Sequence, residues 1–419
     1  MTVQIIQRAV VAAAIVLGLS GCSDLLKVNN PGSLQEGQLS DPALEQFIIN
    51  GVIGEFQAAY VNYAFWSGVL ADESFTDHPT LALEFSRHNF TDLDVTNDSV
   101  YRTLQRARQS ADDAADRVKK MQGANAGSSL NVARALIYGG YSYVLLGEGF
   151  CEAPVNLSAP LPPNELFARA IARFDEGITV ATAARLRTSV TAAQDSAAQD
   201  LIHMAQVGAA RASLKKGDMA KARAYAALVP DTYERLAYYS ANSARENNSV
   251  RLAVAVLPWL GMHPTFQGLN DARVPQPTVA RRSLGSNPIF PPLKPSMYSG
   301  WTGIGAPQTI EFTTHIRFAS GLEAQYIRVE ADGQNAGMLS FVNARRAVAV
   351  KPPVNLSGAA LLTEFRTQRA LDFYLTGQRL GDLRRYKEAG TDLFPTGRYP
   401  VGAQSYGSMH CFVVPLSQK

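Results

Sequence analysis

Paired helices broken at a glycine constrain this chain most. The stretch DLIHMAQVGAARASLKKGDMAKARAYAALVP, residues 200–230, reads as two helices interrupted at Gly217-Asp218, with small alanines on facing sides that let the pair pack closely. EAQYIRVEADGQNAGMLSFVNARRAVAV, residues 323–350, repeats the plan around Gly333, and residues 361–388 are helical again with a break near Gly377. A chain that spends its length this way is mainly α, because each amphipathic hairpin must bury its apolar face on a neighbour.

The remaining periodicity agrees. Asp41-Pro42 is a helix start, with Asp as cap and Pro at the first helical position. A long helix is predicted from about 97 to 123, with Val100, Leu104, Ala107, Ala111, Ala114, Val118 and Met121 along one face. A further helix covers 130–146, and another follows Pro162-Pro163 with Asn164 as its cap. Residues 200–230 resemble a tetratricopeptide unit: Gly217-Asp218 at the turn, Ala222 and Ala226 in the second helix, Pro230 past its end. Between the pairs the texture changes. Residues 258–307 hold nine of the chain's 22 prolines, so no long helix fits there. A loop region of that length inside a folded body is commonly functional. The expected architecture is an α-α superhelical scaffold carrying an irregular insertion over about 236–320.

At the front, Arg8 precedes an uncharged run from Ala9 to Ser20. About 12 residues of helix reach roughly 18 Å, short of the about 20 residues a bilayer core requires, so the run suits a signal peptide better than a membrane span. Leu19-Ser20-Gly21-Cys22 resembles the lipobox of bacterial lipoproteins. That resemblance implies removal of residues 1–21, lipidation at Cys22, a tether over 22–40 and a single domain over 41–419. Several acyl chains on one cysteine give stable anchoring. Without residues 1–21, which carry only the charge of Arg8, 38 basic residues face 36 acidic ones, interspersed rather than blocked. This balance gives no electrostatic case for nucleic acid. Cys151 and Cys411 are then the only two cysteines left, and they have one intramolecular pairing open to them; the alternative is two buried free thiols. A bridge would contribute roughly 4–5 kcal/mol by the chain-entropy argument.

Several segments, taken in order, resemble the SusD/RagB family. They are Val28-Asn29-Asn30-Pro31-Gly32 after the lipobox; NVARALIYGGYSYVLLGEGFCEAPVN, residues 131–156; Asp271-Ala272-Arg273-Val274, with Ala where the family has Pro; YIRVEADGQNAGMLSFVNARRA, residues 326–347, with Asn343 to Arg346; and TEFRTQRALDFYLTGQRLGDLRRY, residues 363–386. The last holds Gly377, Arg379, Asp382 and Arg385 at the spacing Gly-x-Arg-x-x-Asp-x-x-Arg. The resemblance implies four tetratricopeptide-like helix pairs and a loop-rich lobe that bears the ligand site. It also implies a surface lipoprotein of the outer membrane, facing the exterior, that partners a SusC-like TonB-dependent transporter in nutrient uptake. No catalysis, cofactor or metal follows from it, and the ligand class it favours is an oligosaccharide.

The residues themselves set the candidates. Gly377 should end one helix, Asp382 cap the next, and Arg379 and Arg385 fork onto carboxylates or carbonyls, making a structural corner rather than a catalytic one. Asp72, Glu73 and Asp77 lie close enough in sequence to raise a lipid-anchored glycan hydrolase as an alternative. Their plainer reading is a solvated or Arg-paired acidic turn. A helical-repeat envelope scaffold without a small ligand is the other alternative. The six histidines, His78 beside that turn among them, show no metal-ligand spacing. If the ligand is a sugar, Trp66, Trp259, Tyr298 and Trp301 are the candidate platforms, since a pyranose packs its C–H face on an aromatic ring; core packing is the competing role for each.

Overall fold

A computed structural model of the chain describes residues 40–77, 82–303 and 308–418. The signal segment, Cys22, the tether up to residue 39 and His78 lie outside the described residues. Residues 42–44 form one 3₁₀ turn, and the Asp41 carboxylate accepts from the backbone N–H of Ala43, as its helix-start reading expects.

The body from Glu45 onward is built on helix pairs. α1 (Glu45–Leu70) is followed by the single turn α2 (Ala82–Ser86), α3 (Val95–Gln122), α4 (Leu130–Gly149), α5 (Pro163–Arg185), α6 (Ala192–Lys215) and α7 (Met219–Ala226). Beyond the insertion come α8 (Gly321–Ala331), α9 (Ala336–Val348), α10 (Gly358–Asp372) and α11 (Gln378–Glu388). Caps explain most starts. Asp94, Ser129, Thr191, Asp218, Ser320 and Asn335 each accept a backbone N–H of the helix they begin, and Thr191 with Gln194 completes a capping box. The expected cap at Asn164 is not used: the helix begins at Pro163, whose fixed φ suits the first turn, so Asn164 falls inside it.

α3 buries the predicted stripe from Val100 to Val118. α4 is buried almost all round, because α3 lies on one side, α5 and α6 on another, and α1 across it. One close approach is at Phe174 of α5. A Cβ built on Gly140 of α4 would stand 2.7 Å from its ring, and one on Gly208 of α6 would collide with it too. Two glycines thus open the socket that one aromatic ring fills.

β2 (Glu234–Ala237) and β6 (Ile316–Ser320) pair antiparallel and form the neck of the insertion. Inside it, β4 (Arg281–Arg282) pairs with β5 (Pro288–Ile289), while β3 (Leu260–Met262) pairs with β1 (Ser74–Thr76), which follows α1. These strands are two to five residues long; helix dominates the fold. Cys151, just past α4, is disulfide-bonded to Cys411 near the other end of the body. Among the described residues no helix is long and apolar enough to cross a membrane.

Candidate functional site

The irregular insertion holds a cavity of about 500 Å³, within the range of small-ligand sites. Its aromatic lining is Phe266, Phe290 and Trp301; its polar lining includes Asn270, Gln276, Thr278, Thr302, Gln308 and Lys294. Prolines 275 and 277 stiffen one wall. The Trp301 indole Nε1 donates to the carbonyl of Ala272 at 3.1 Å, which fixes the ring edge and leaves the ring as cavity surface. Gln276 bridges the wall by accepting from the N–H of Gly268 at 2.7 Å.

The wall is bolted to the helices through the Asp271-Ala272-Arg273-Val274 stretch. Asp271 lines the cavity, yet both of its oxygens are taken by Arg273, at 3.0 Å to Nε and 2.8 Å to Nη2. The same guanidinium reaches Gln368 at 2.8 Å and Asp372 at 3.1 Å on α10. Asp372 also accepts both arms of Arg345 on α9. Planar, bidentate pairs of this kind fix geometry as well as charge.

The four aromatic candidates separate. Trp301 lines the cavity. Tyr298, three residues earlier, does not: its ring is buried and its hydroxyl donates to the Leu375 carbonyl at 2.9 Å, so it anchors the loop to the core. Trp66 and Trp259 stack on each other, ring centres 5.7 Å apart, with Phe65 and Phe85 at their edges; half-buried, they hold β3 against α1 and line no part of the cavity. Phe266, Phe290 and Lys294 were not singled out in the sequence. Their one shared signal is membership of the proline-rich stretch.

The Gly377 corner is structural, with one correction. Gly377 takes the left-handed φ of +82° and itself opens α11, so Asp382 lies a turn inside the helix and caps nothing. It is instead a buried acceptor for three cations: Lys215 at 2.7 Å, Arg369 at 2.7 Å and Arg385 at 3.3 Å. Those cations hold its carboxyl well below the usual range against the opposing effect of burial. Arg385 forks onto Glu330 at 2.6 and 3.1 Å. Arg379 donates to the Ala71 carbonyl at 2.9 Å and lies over the Phe266 ring, carrying the corner to the cavity floor.

The acidic turn is neither solvated nor Arg-paired. Asp72, Glu73 and Asp77 are buried. Glu73 accepts the N–H of Leu375 at 3.1 Å, and burial pushes its carboxyl up to about 8 with Arg379 nearby opposing. Burial raises Asp72 as well, against the opposing pull of Arg379 and a hydrogen bond from Tyr406. Asp77 accepts from Ser283 and from Asn287. His88 and His263, packed near Tyr406, are pushed down by burial to about 3 and about 4. The carboxylates therefore do not face one another across an open cleft, which the hydrolase alternative requires. Among the described residues no group of three or more His, Cys, Asp or Glu is placed to hold a metal ion.

No family model matches the chain, and no curated protein does. Solved structures do. A SusD/RagB family protein from Bacteroides thetaiotaomicron superposes with a TM-score of 0.59 at 14% identity, over 85% of this chain and 90% of that one. A SusD-like carbohydrate-binding protein from Bacteroides vulgatus gives 0.59 at 12%, over 86% of each chain. A structure described with a xylogluco-oligosaccharide gives 0.54 at 12%, over 81% and 82%. Likenesses this remote in sequence and this complete in length establish the fold.

Proposed function

On the premise that the fold is that of SusD/RagB proteins, we propose that this chain is a lipid-anchored binding protein. It captures an oligosaccharide in the cavity beside Trp301 and delivers it to a TonB-dependent outer-membrane transporter, over which it acts as the lid. The observation that carries the capture step is the lining itself: aromatic rings on one side and amides and hydroxyls around them. A pyranose needs both, since its C–H face packs on a ring while its hydroxyls must keep hydrogen-bond partners. Two of the solved structures with this fold support the ligand class, one described as carbohydrate-binding and one with a xylogluco-oligosaccharide. The burial of Asp72, Glu73 and Asp77 favours binding without turnover over the hydrolase alternative. The aromatic cavity favours it over a scaffold that takes no small ligand.

Cys22 is the proposed anchor, with the outer leaflet facing the exterior as its setting. Tethering both partners in one membrane raises the effective concentration of lid over barrel, so modest intrinsic affinity suffices. Titration calorimetry against an oligosaccharide panel tests the capture step: Trp301→Ala should weaken binding at least about tenfold, and unchanged affinity would remove the cavity from the reading. Crosslinking in the native envelope tests the delivery step. It should recover a TonB-dependent transporter, and recovery of assembly machinery instead would favour the scaffold.

A further inference from the structure

The cavity carries one charge that the protein leaves uncompensated. Two charged residues line it among those described, Asp271 and Lys294. Asp271 is spent on Arg273, which holds both of its oxygens. Lys294 has no carboxylate within ion-pair distance among the described residues; its ammonium, with three donors, makes a single long bond of 3.4 Å to the Gln308 side chain. The adjoining residues 304–307, Ile-Gly-Ala-Pro in sequence, bring no ionisable group. The backbone presents this lysine firmly, because its N–H donates to the Gln308 carbonyl at 2.8 Å and Pro295 follows it. A second observation points the same way. The chain leaves the cavity wall at Thr278, forms the β4–β5 hairpin and returns to the wall at Phe290. Arg281 and Arg282 on that hairpin are exposed and likewise lack a carboxylate partner among the described residues.

We propose that the cavity selects an acid-bearing oligosaccharide, with the anionic group of one sugar on Lys294, the ring of that or the next sugar on Trp301, and Arg281 and Arg282 meeting further acidic units at the rim. This rests on the oligosaccharide reading and narrows it. A charge-assisted hydrogen bond from an ammonium to a carboxylate or sulfate inside a partly desolvated wall discriminates more strongly than a neutral one. The free Lys294 donors would be left poorly used by a neutral glycan.

Titration of the full chain with tetragalacturonate and with its methyl-esterified counterpart separates charge from backbone shape, and a κ-carrageenan tetrasaccharide, sulfated and free of carboxylate, distinguishes sulfate from carboxylate as the anion. At least one of the two acidic oligomers should bind about tenfold or more tightly than the ester at low salt. That advantage should shrink as salt rises and vanish in Lys294→Gln. The exposed pair Arg281→Gln/Arg282→Gln, whose fold is not at risk, should lower the salt dependence. An ester that binds as well as both acids, or a preference untouched by Lys294→Gln in a variant with wild-type melting, overturns the proposal. If neutral oligosaccharides bind and acidic ones do not, the charge inference fails while the sugar reading stands; if no oligosaccharide of any kind binds, the sugar reading fails first.

Discussion

Phe174 and Trp301 are both aromatic side chains held in place by their neighbours, and they are held in opposite ways. Phe174 of α5 sits in a socket between α4 and α6 shaped by Gly140 and Gly208. Trp301 is fixed by one hydrogen bond to Ala272, on a wall that is itself fixed by Arg273. In the helical body, position is a by-product of close packing, so nearly every change there is felt as stability. In the lobe, position comes from a few directed bonds on proline-stiffened loops, which leaves side chains such as Lys294 and Trp301 free to face a ligand. The comparison teaches that the two regions should respond to substitution along different axes.

The widest separation is expected at Asp382. Asp382→Ala strands Arg369 as a buried cation without its carboxylate and leaves Lys215 with Glu148 alone; it should cost roughly 3–5 kcal/mol in denaturant unfolding, with the order of ligand preference unchanged. A wild-type midpoint would break the distinction between the regions. The double variant Cys151→Ser/Cys411→Ser should lose about 2–5 kcal/mol, again without a change in ligand order. A pH experiment sharpens the contrast at the junction of body and lobe. Glu73 is raised from 4.5 to about 8 in the fold, so its neutral form favours folding. That contribution is whole below about pH 4 and is lost as the pH climbs toward 8. Wild-type stability should carry a downward slope of about 1 kcal/mol per pH unit from this group through that window, and Glu73→Gln should remove it; equal slopes in the two proteins would show that Glu73 is not buried as described. The smallest stability effect belongs to Trp301→Ala, within about 1 kcal/mol and readable by thermal melting, even though its binding effect is the largest. A melt that shifted as far as the Asp382 variant would place Trp301 in the core.

The helix pairs were legible because a repeat of apolar residues at helical spacing needs no knowledge of partners, and the prolines over 258–307 announced an irregular stretch, which holds no α-helix among its described residues. Roles inside the insertion were not legible for a physical reason. Tyr298 and Trp301 have similar flanks, yet Tyr298 is drawn inward by the Leu375 carbonyl, 77 residues away in sequence, and Trp301 is not. Asp382 reads as a cap only if its helix starts late; the left-handed Gly377 starts it early and turns the carboxylate toward Lys215 and Arg369. Lys294 left no pattern at all. A lone lysine among prolines gains meaning only when the acids around it are seen to be engaged elsewhere.

The link between Cys151 and Cys411 has a last consequence for the loops of the insertion. The two cysteines stand 260 positions apart, and the whole β2–β6 insertion lies between them. A single proteolytic cut anywhere in those loops would therefore sever the peptide chain without releasing a fragment. The nicked molecule should migrate as one species until a reductant is added and as two afterward, so a cut in the insertion need not part the two halves of the molecule.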